Sequence, residues 1–215
     1  MIRAQLIQKI IAAEGIRFFP YYDTKNKLTV GVGHLVKIGN GKTKGDGIGR
    51  TYMTSVEEVK SFLIKDLNAA VKDAKTFVNH RAGGRDVWAS LSENRQDSII
   101  EMAYTLGMPH LHGNGRKPSE REATGFTKFR DALQRGDFES ASNEILDSGW
   151  YNDNGVEGRV RGVYQAFVND SSPVHFAKQG AEINIDTEVK AQIGSQYQLD
   201  KNEAMKFGVS LAKIK

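Results

Sequence analysis

Two carboxylates and a hydroxyl near the start of the chain have the residue types and spacing for chemistry. Glu14 ends an apolar run, Asp23 follows nine positions later, and Thr29 lies in a glycine-spaced stretch. Two carboxyl groups in contrasting environments can divide acid and base roles, because one keeps its proton while the other is ionised. Glycoside hydrolysis needs such a pair. A helix-end glutamate and a turn aspartate are also common in proteins without this activity, so both interpretations stay open at this point.

Glu14 is predicted at the C-terminal end of an amphipathic helix. Within residues 3–13 the apolar side chains recur at helical spacing, and Gly15 can take the left-handed conformation that closes a helix. The unpaired carbonyls and the dipole at this end disfavour negative charge. We therefore expect Glu14 to hold its proton near neutrality, as a general acid must.

Asp23 and Thr29 are predicted on a β-hairpin. The β-rich runs FFPYYD and KLTVGVGHLV are separated by TKN. Asp23 would lie where the first strand meets the turn, exposed and ionised. On the return strand, positions 29, 31 and 33 would share one face. Because positions 31 and 33 are glycines, that face would leave room for a bulky substrate.

The remainder is predicted to be mainly helical, so the fold class is α+β. Thr54 and Glu57 form a predicted capping box for a long helix that ends near Asn79. Glycine-rich residues 37–50 and polar residues 110–124 are predicted loops, and the tail 171–215 is either a subdomain with a strand and a helix or an interaction tail. Further helices are expected near residues 85–91, 93–106, 124–135, 138–147 and 159–169.

Composition excludes several classes of protein. The 215 residues include no cysteine, which excludes disulfides, thiolate metal sites and cysteine nucleophiles. No apolar run approaches the roughly 18 residues of a membrane span, and polar residues interrupt the N-terminal helix, which argues against a signal peptide. The net charge of +4 is spread along the chain, so we expect no nucleic-acid binding, although an anionic cell wall is a compatible partner.

Two weaker motifs carry no function in this interpretation. The string GNGKT at 39–43 suggests a phosphate loop, but Val36 occupies the position of the required first glycine. His110 and His112 are two residues apart, with no third ligand at useful spacing. We predict no metal and no cofactor.

The segment EGIRFFPYYDTKNKLTVGVGHLV resembles the active-site segment of the T-even phage lysozymes, glycoside hydrolase family 24. That family's signature is Glu, eight residues, Asp, five residues, Thr, and then a glycine-spaced strand ending in Gly-His. The matching residues here are Glu14, Asp23, Thr29, Gly31, Gly33 and His34.

The resemblance extends over about residues 1–169 and implies a lysozyme-like organisation. A small N-terminal lobe with the hairpin sheet (about 12–58) would be joined by a long helix (54–79) to a helical lobe. That lobe would comprise residues 80–169 together with the helix 3–13. Residues 170–215 would be an extension of unknown role.

Further positions carry roles implied by the resemblance. FLIKDLNAAVKDA (62–74) is similar to the long inter-lobe helix, and its Asp66 is expected to form a structural ion pair with His34. Arg159 matches an arginine that approaches the catalytic glutamate. Thr105 replaces a substrate-contacting glutamine, and Glu101 occupies the place of an asparagine. The implied substrate-binding residues are Gly31, Gly33, Thr105 and Arg159, with subsite contacts expected to differ from the family's.

The implied activity is that of a muramidase that cleaves the β-1,4 bond between N-acetylmuramic acid and N-acetylglucosamine in bacterial peptidoglycan. Glu14 would be the general acid, Asp23 would position the attacking water, Thr29 would help to hold that water, and the anomeric centre would invert. Neither cofactor nor stable membrane insertion is expected.

The expected setting is a monomeric phage endolysin, held in the host cytoplasm until holin-dependent release to the wall. One alternative is a virion-associated or toxin-type lysozyme that docks on a partner through residues 170–215. A catalytically silent wall-binding protein is the other, against which the complete set of carboxylates argues.

Overall fold

The computed structural model describes residues 3–23, 26–37, 53–113, 125–152, 157–170 and 196–198. Several predicted segments lie outside the described residues: the string GNGKT with nearly all of the glycine-rich loop, residues 114–124, and most of the tail. The strand and the helix that were predicted in the tail are among them. Contacts divide the chain into two units, residues 1–66 with 180–215 (unit 1) and residues 67–179 (unit 2). No helix among the described residues is long and apolar enough to cross a membrane.

Unit 1 contains the helix and the sheet that were expected around the two carboxylates. Helix α1 spans Ala4–Glu14, and strands β1 (Arg17–Tyr22), β2 (Leu28–Gly31) and β3 (His34–Leu35) form an antiparallel sheet in the order β1-β2-β3. The predicted apolar face of α1 is buried. This helix belongs to unit 1, and two residues separate it from β1.

The predicted return strand is interrupted, which corrects the prediction that positions 29, 31 and 33 share one face of one strand. Strand β2 ends at Gly31, and Val32 and Gly33 form a turn before β3. Gly31 and Gly33 have φ values of 66° and 73°. Backbone in this left-handed region cannot continue a pleated strand. Val30 and Val32 are both buried.

Helix α2 spans Val56–Asn79, and its N-terminal cap differs by one residue from the prediction. The Ser55 N–H donates to Glu58 Oε2 at 2.8 Å, and the Glu58 N–H donates to Ser55 Oγ at 3.1 Å. These reciprocal bonds form the capping box. Thr54 is fully buried instead, where its N–H and its hydroxyl both donate to the carbonyl of Phe18 at 2.9 Å. The division between the two units falls within α2.

The other regular elements in the described part of unit 2 are helices. The helices are α3 (Val87–Ser90), α4 (Glu93–Leu106), α5 (Met108–His112), α6 (Thr127–Gln134), α7 (Phe138–Leu146) and α8 (Glu157–Val168). They surround a core that includes Phe77, Phe129 and Phe167. Helix α5 was not predicted; residues 110–112 belong to it and not to a loop. Its Pro109 lies in the first turn, where a missing N–H costs no helical hydrogen bond. The α+β fold class is confirmed.

Candidate active site

Glu14 is the last residue of α1, and its carboxyl group lies against the turn after β2. The Gly15 N–H donates to the carbonyl of Ile11 at 2.9 Å and closes the helix. A Cβ built on Gly33 would lie 3.2 Å from Glu14 Oε2 and 3.5 Å from its Cδ. The absent side chain of Gly33 therefore leaves the space that the Glu14 carboxyl group occupies. This close approach links the end of the helix to the sheet.

Asp23 directly follows β1 and is held by a local turn. Its Oδ1 accepts the Lys27 N–H at 2.7 Å, its own N–H donates to the carbonyl of Lys27 at 2.9 Å, and its carbonyl accepts the N–H of Asn26 at 2.9 Å. Asn26 has a φ of 56°, a left-handed conformation that asparagine tolerates better than most residues. These bonds fix the orientation of the carboxylate at the end of the strand, where the sequence predicts it.

Thr29 lies in the middle of the sheet and is 4% exposed. It pairs with Tyr21 of β1 on one side and with Leu35 of β3 on the other. Its hydroxyl donates to the carbonyl of Lys27 at 3.1 Å. Because the Thr29 hydroxyl proton is already used in this bond, the hydroxyl can interact with a further polar group only as a hydrogen-bond acceptor.

The two glycines of the turn have different neighbours. A Cβ on Gly31 would lie 3.4 Å from Cγ1 of Val59, a buried residue of α2, whereas a Cβ on Gly33 would meet Glu14. Gly31 allows the sheet to pack closely on α2, and Gly33 allows the carboxyl group to approach. That either glycine binds substrate stays a prediction.

Tyr21 was not predicted to be a site residue, but the charges of the site act on it. Burial raises the pKa of the Tyr21 hydroxyl above its usual value; the Arg17 guanidinium lowers it, and the negative charges of Glu14 and Asp23 raise it further. The guanidinium carbon of Arg17 lies 4.6 Å from the centre of the Tyr21 ring. Hairpin register is the sequence signal that could have identified this residue, because it places position 21 opposite Thr29.

His34 and Asp66 form the contact that the resemblance implies. His34 Nδ1 lies 2.7 Å from Asp66 Oδ2, with the histidine side chain 4% exposed. The His34 ring also stacks on Phe62, with ring centres 4.3 Å apart. Both contacts join β3 to α2 and hold the sheet that carries Thr29.

Arg159 and Thr105 belong to unit 2. Arg159 Nε lies 3.2 Å from Oε1 of Glu101, and both side chains are largely buried. The Thr105 hydroxyl donates to the carbonyl of Glu101 at 2.9 Å, within its own helix. Glu101, which takes the place of an asparagine in the resembling family, is thus the carboxylate that pairs with Arg159. The expected approach of Arg159 to Glu14 joins residues of different units and stays a prediction, as do the substrate contacts of Thr105 and Arg159.

Of the two histidines of α5, His112 packs among aromatic rings and His110 is exposed. The His112 ring lies edge-on to His80 and to Phe77, with ring centres 4.9 Å and 5.4 Å apart. Burial lowers the pKa of His80, and the charges of Arg130 and Arg81 lower it further. No group of three or more His, Asp or Glu side chains that could hold a metal ion is present in the part of the chain that the structure describes.

Comparison with known proteins identifies a relative and a family. The chain is similar to the pre-baseplate central spike protein Gp5 of Enterobacteria phage T4, with 27% identity over 150 residues, which cover 64% of this chain and 23% of Gp5. It therefore spans less than a quarter of that relative's length. The family described as phage lysozyme matches residues 11–165, a range that includes Glu14, Asp23 and Thr29. Because this match covers well over half of the sequence, the chain belongs to the phage lysozyme family.

Proposed function

We propose that this protein is a muramidase that hydrolyses the β-1,4 bond between N-acetylmuramic acid and N-acetylglucosamine in bacterial peptidoglycan. Membership of the phage lysozyme family supports a glycoside hydrolase that acts on peptidoglycan. The observation that carries the proposal is the packing of the Glu14 carboxyl group against Gly33. This packing brings the Glu14 carboxyl group to the sheet. Asp23 lies at the edge of the same sheet, where its turn fixes it.

In the proposed reaction Glu14 donates its proton to the glycosidic oxygen as the bond from that oxygen to the anomeric carbon breaks. A water molecule attacks the same carbon from the opposite side of the sugar ring, and its proton passes to Asp23. Thr29 accepts a hydrogen bond from this water. The anomeric centre inverts, and exchange with solvent returns Glu14 to its acid form and Asp23 to its carboxylate.

The fixed orientations of the two groups support these roles. Asp23 accepts the Lys27 N–H through Oδ1, which fixes the orientation of its carboxylate. Thr29 donates its proton to a backbone carbonyl, so its oxygen can accept from that water. Such preorganised positioning supplies much of the rate acceleration in enzymes of this kind.

Two biological settings have support. The sequence favours a phage endolysin, a monomer that stays in the host cytoplasm until holin-dependent release. The similarity to Gp5, a central spike protein by name, favours the second candidate, a virion-associated lysozyme that docks through residues 170–215. Mass spectrometry of purified virions separates them, since a structural component is present in each particle and an endolysin is absent. Light scattering of the purified protein tests the monomer.

The test of the reaction is release of reducing ends from purified peptidoglycan. We expect Glu14→Gln to lose at least about a thousandfold in rate, since removal of the proton donor leaves the leaving group without general acid catalysis. Glu139→Gln, an exposed glutamate in the first turn of α7, is the matched control and should keep the full rate. Equal activity of Glu14→Gln and the wild type, with both folded by circular dichroism, would refute the mechanism. Proton NMR of the first product formed tests inversion.

A further inference from the structure

Tyr21 lies on the face of the sheet that carries Thr29. The two residues are directly opposite each other in the β1–β2 ladder, and side chains in such positions are close neighbours, about 5 Å apart at Cβ. Tyr22, the next residue of β1, pairs with Leu28. Because successive side chains of a strand alternate, Tyr22 belongs to the opposite face, and it is 48% exposed.

The Tyr21 ring is held in place and its hydroxyl stays neutral. Arg17 lies over the ring at 4.6 Å from its centre, a cation–π contact that restricts rotation of the side chain. Burial and the charges of Glu14 and Asp23 raise the pKa of the hydroxyl, more than Arg17 lowers it. At neutral pH the group is therefore a hydrogen-bond donor that carries no charge.

The proposed reaction leaves a place for a hydrogen-bond donor beside the attacking water. Water has two protons and two lone pairs. The Asp23 carboxylate and the Thr29 oxygen can both accept from it, Thr29 because its own proton is engaged with Lys27. One lone pair attacks the sugar, which leaves the second lone pair without a partner. A neutral hydroxyl can donate a hydrogen bond to this second lone pair without offsetting the negative charge of Asp23.

We propose that Tyr21 is a positioning residue of the muramidase site, and that its hydroxyl donates a hydrogen bond to the attacking water held between Asp23 and Thr29. The inference rests on the proposed function. In this arrangement Arg17 acts through Tyr21, by holding the ring, and needs no contact with the substrate. Bond making and breaking are unchanged, because the Tyr21 proton is never transferred.

The test compares Tyr21→Phe with Tyr22→Phe, which removes the same atom from the next residue, on the other face of the sheet. Rates are measured on a soluble peptidoglycan oligosaccharide. We expect Tyr21→Phe to lower kcat by about tenfold, the effect of one oriented hydrogen bond in the transition state. KM should stay within about twofold, since the bond is to water and not to the sugar. Tyr22→Phe should keep both constants.

The midpoint of urea unfolding is measured for both variants, because a merely structural role would lower stability together with activity. A wild-type kcat in Tyr21→Phe would overturn the inference, and so would a rise in KM alone or a loss of kcat that follows a loss of stability. Glu14→Gln is measured in the same assay. If Glu14→Gln is inactive while Tyr21→Phe is fully active, the role of Tyr21 fails and the proposed function stands.

Discussion

Substitution of Gly33 by alanine tests whether the close approach of Glu14 to the turn matters for activity. The new Cβ would lie 3.2 Å from Glu14 Oε2, 3.5 Å from its Cδ and 3.6 Å from its Cγ. The distance to Oε2 is shorter than an ordinary van der Waals contact, so this end of the carboxyl group must move by a few tenths of an ångström. It belongs to the end of a flexible side chain, and the movement costs little stability.

Gly33→Ala is expected to have two effects, one on the free energy of folding and one on the catalytic rate, and their sizes can be worked out separately. The backbone has a φ of 73°, and the left-handed conformation costs an L-residue about 1–2 kcal/mol of folding free energy. Displacement of a catalytic group lowers the rate, by up to about a hundredfold for 1 Å. For a shift of a few tenths of an ångström we expect about a tenfold loss of kcat, equivalent to about 1.4 kcal/mol in the activation free energy.

Gly31→Ala is the matched comparison. Gly31 has nearly the same φ, 66°, but a Cβ there would contact Val59 at 3.4 Å and not Glu14. We expect the two variants to lose similar free energies of unfolding in urea, and the kcat of Gly31→Ala to fall several-fold less than that of Gly33→Ala. If both variants lose kcat equally, the loss follows backbone strain, and the argument that Gly33 positions Glu14 is refuted.

Two further predictions concern stability. The Tyr197 ring lies edge-on to buried Phe18, with ring centres 5.1 Å apart. Tyr197→Ala should therefore lower the free energy of unfolding by about 1 kcal/mol, whereas Tyr197→Phe should leave it unchanged. Equal stability of the wild type and both variants in urea would contradict this contribution of the extension. Hydrogen bonds from Ser140 hold the pKa of Asp137 below its usual value. A lowered folded-state pKa adds stability above the unfolded pKa, about 4, which is lost as the pH falls through the folded value. Asp137→Asn should therefore be less stable than the wild type at pH 6 and closer to it at pH 3, and an unchanged difference would refute this linkage.

Local signals were sufficient to predict most helices. Helix α4 spans residues 93–106 as predicted, because its ends carry their own chemistry: the Ser92 side chain accepts the N–H of Arg95, and Gly107 closes the C-terminus with a φ of 73°. The place of Glu14 at a helix end and of Asp23 at a turn follows from the same kind of local pattern. These features depend on residues a few positions apart, which the sequence shows directly.

The capping box of α2 required tertiary information. Thr54 and Ser55 are each followed three positions later by a glutamate, so two caps are possible. Ser55 forms the cap because Thr54 is buried and donates to the carbonyl of Phe18 in β1. The sequence around residue 54 does not show that β1 lies beside it.

The sequence by itself determined the candidate site residues, two carboxylates and a hydroxyl, together with their spacing and the elements that contain them. Only the tertiary structure decided their neighbours: Gly33 faces Glu14, Gly31 faces Val59, and the strand ends at Gly31 in a turn. Alternating valine and glycine is equally compatible with one long strand. The choice depends on how α1 and α2 pack on the sheet, and packing involves residues far apart in the chain.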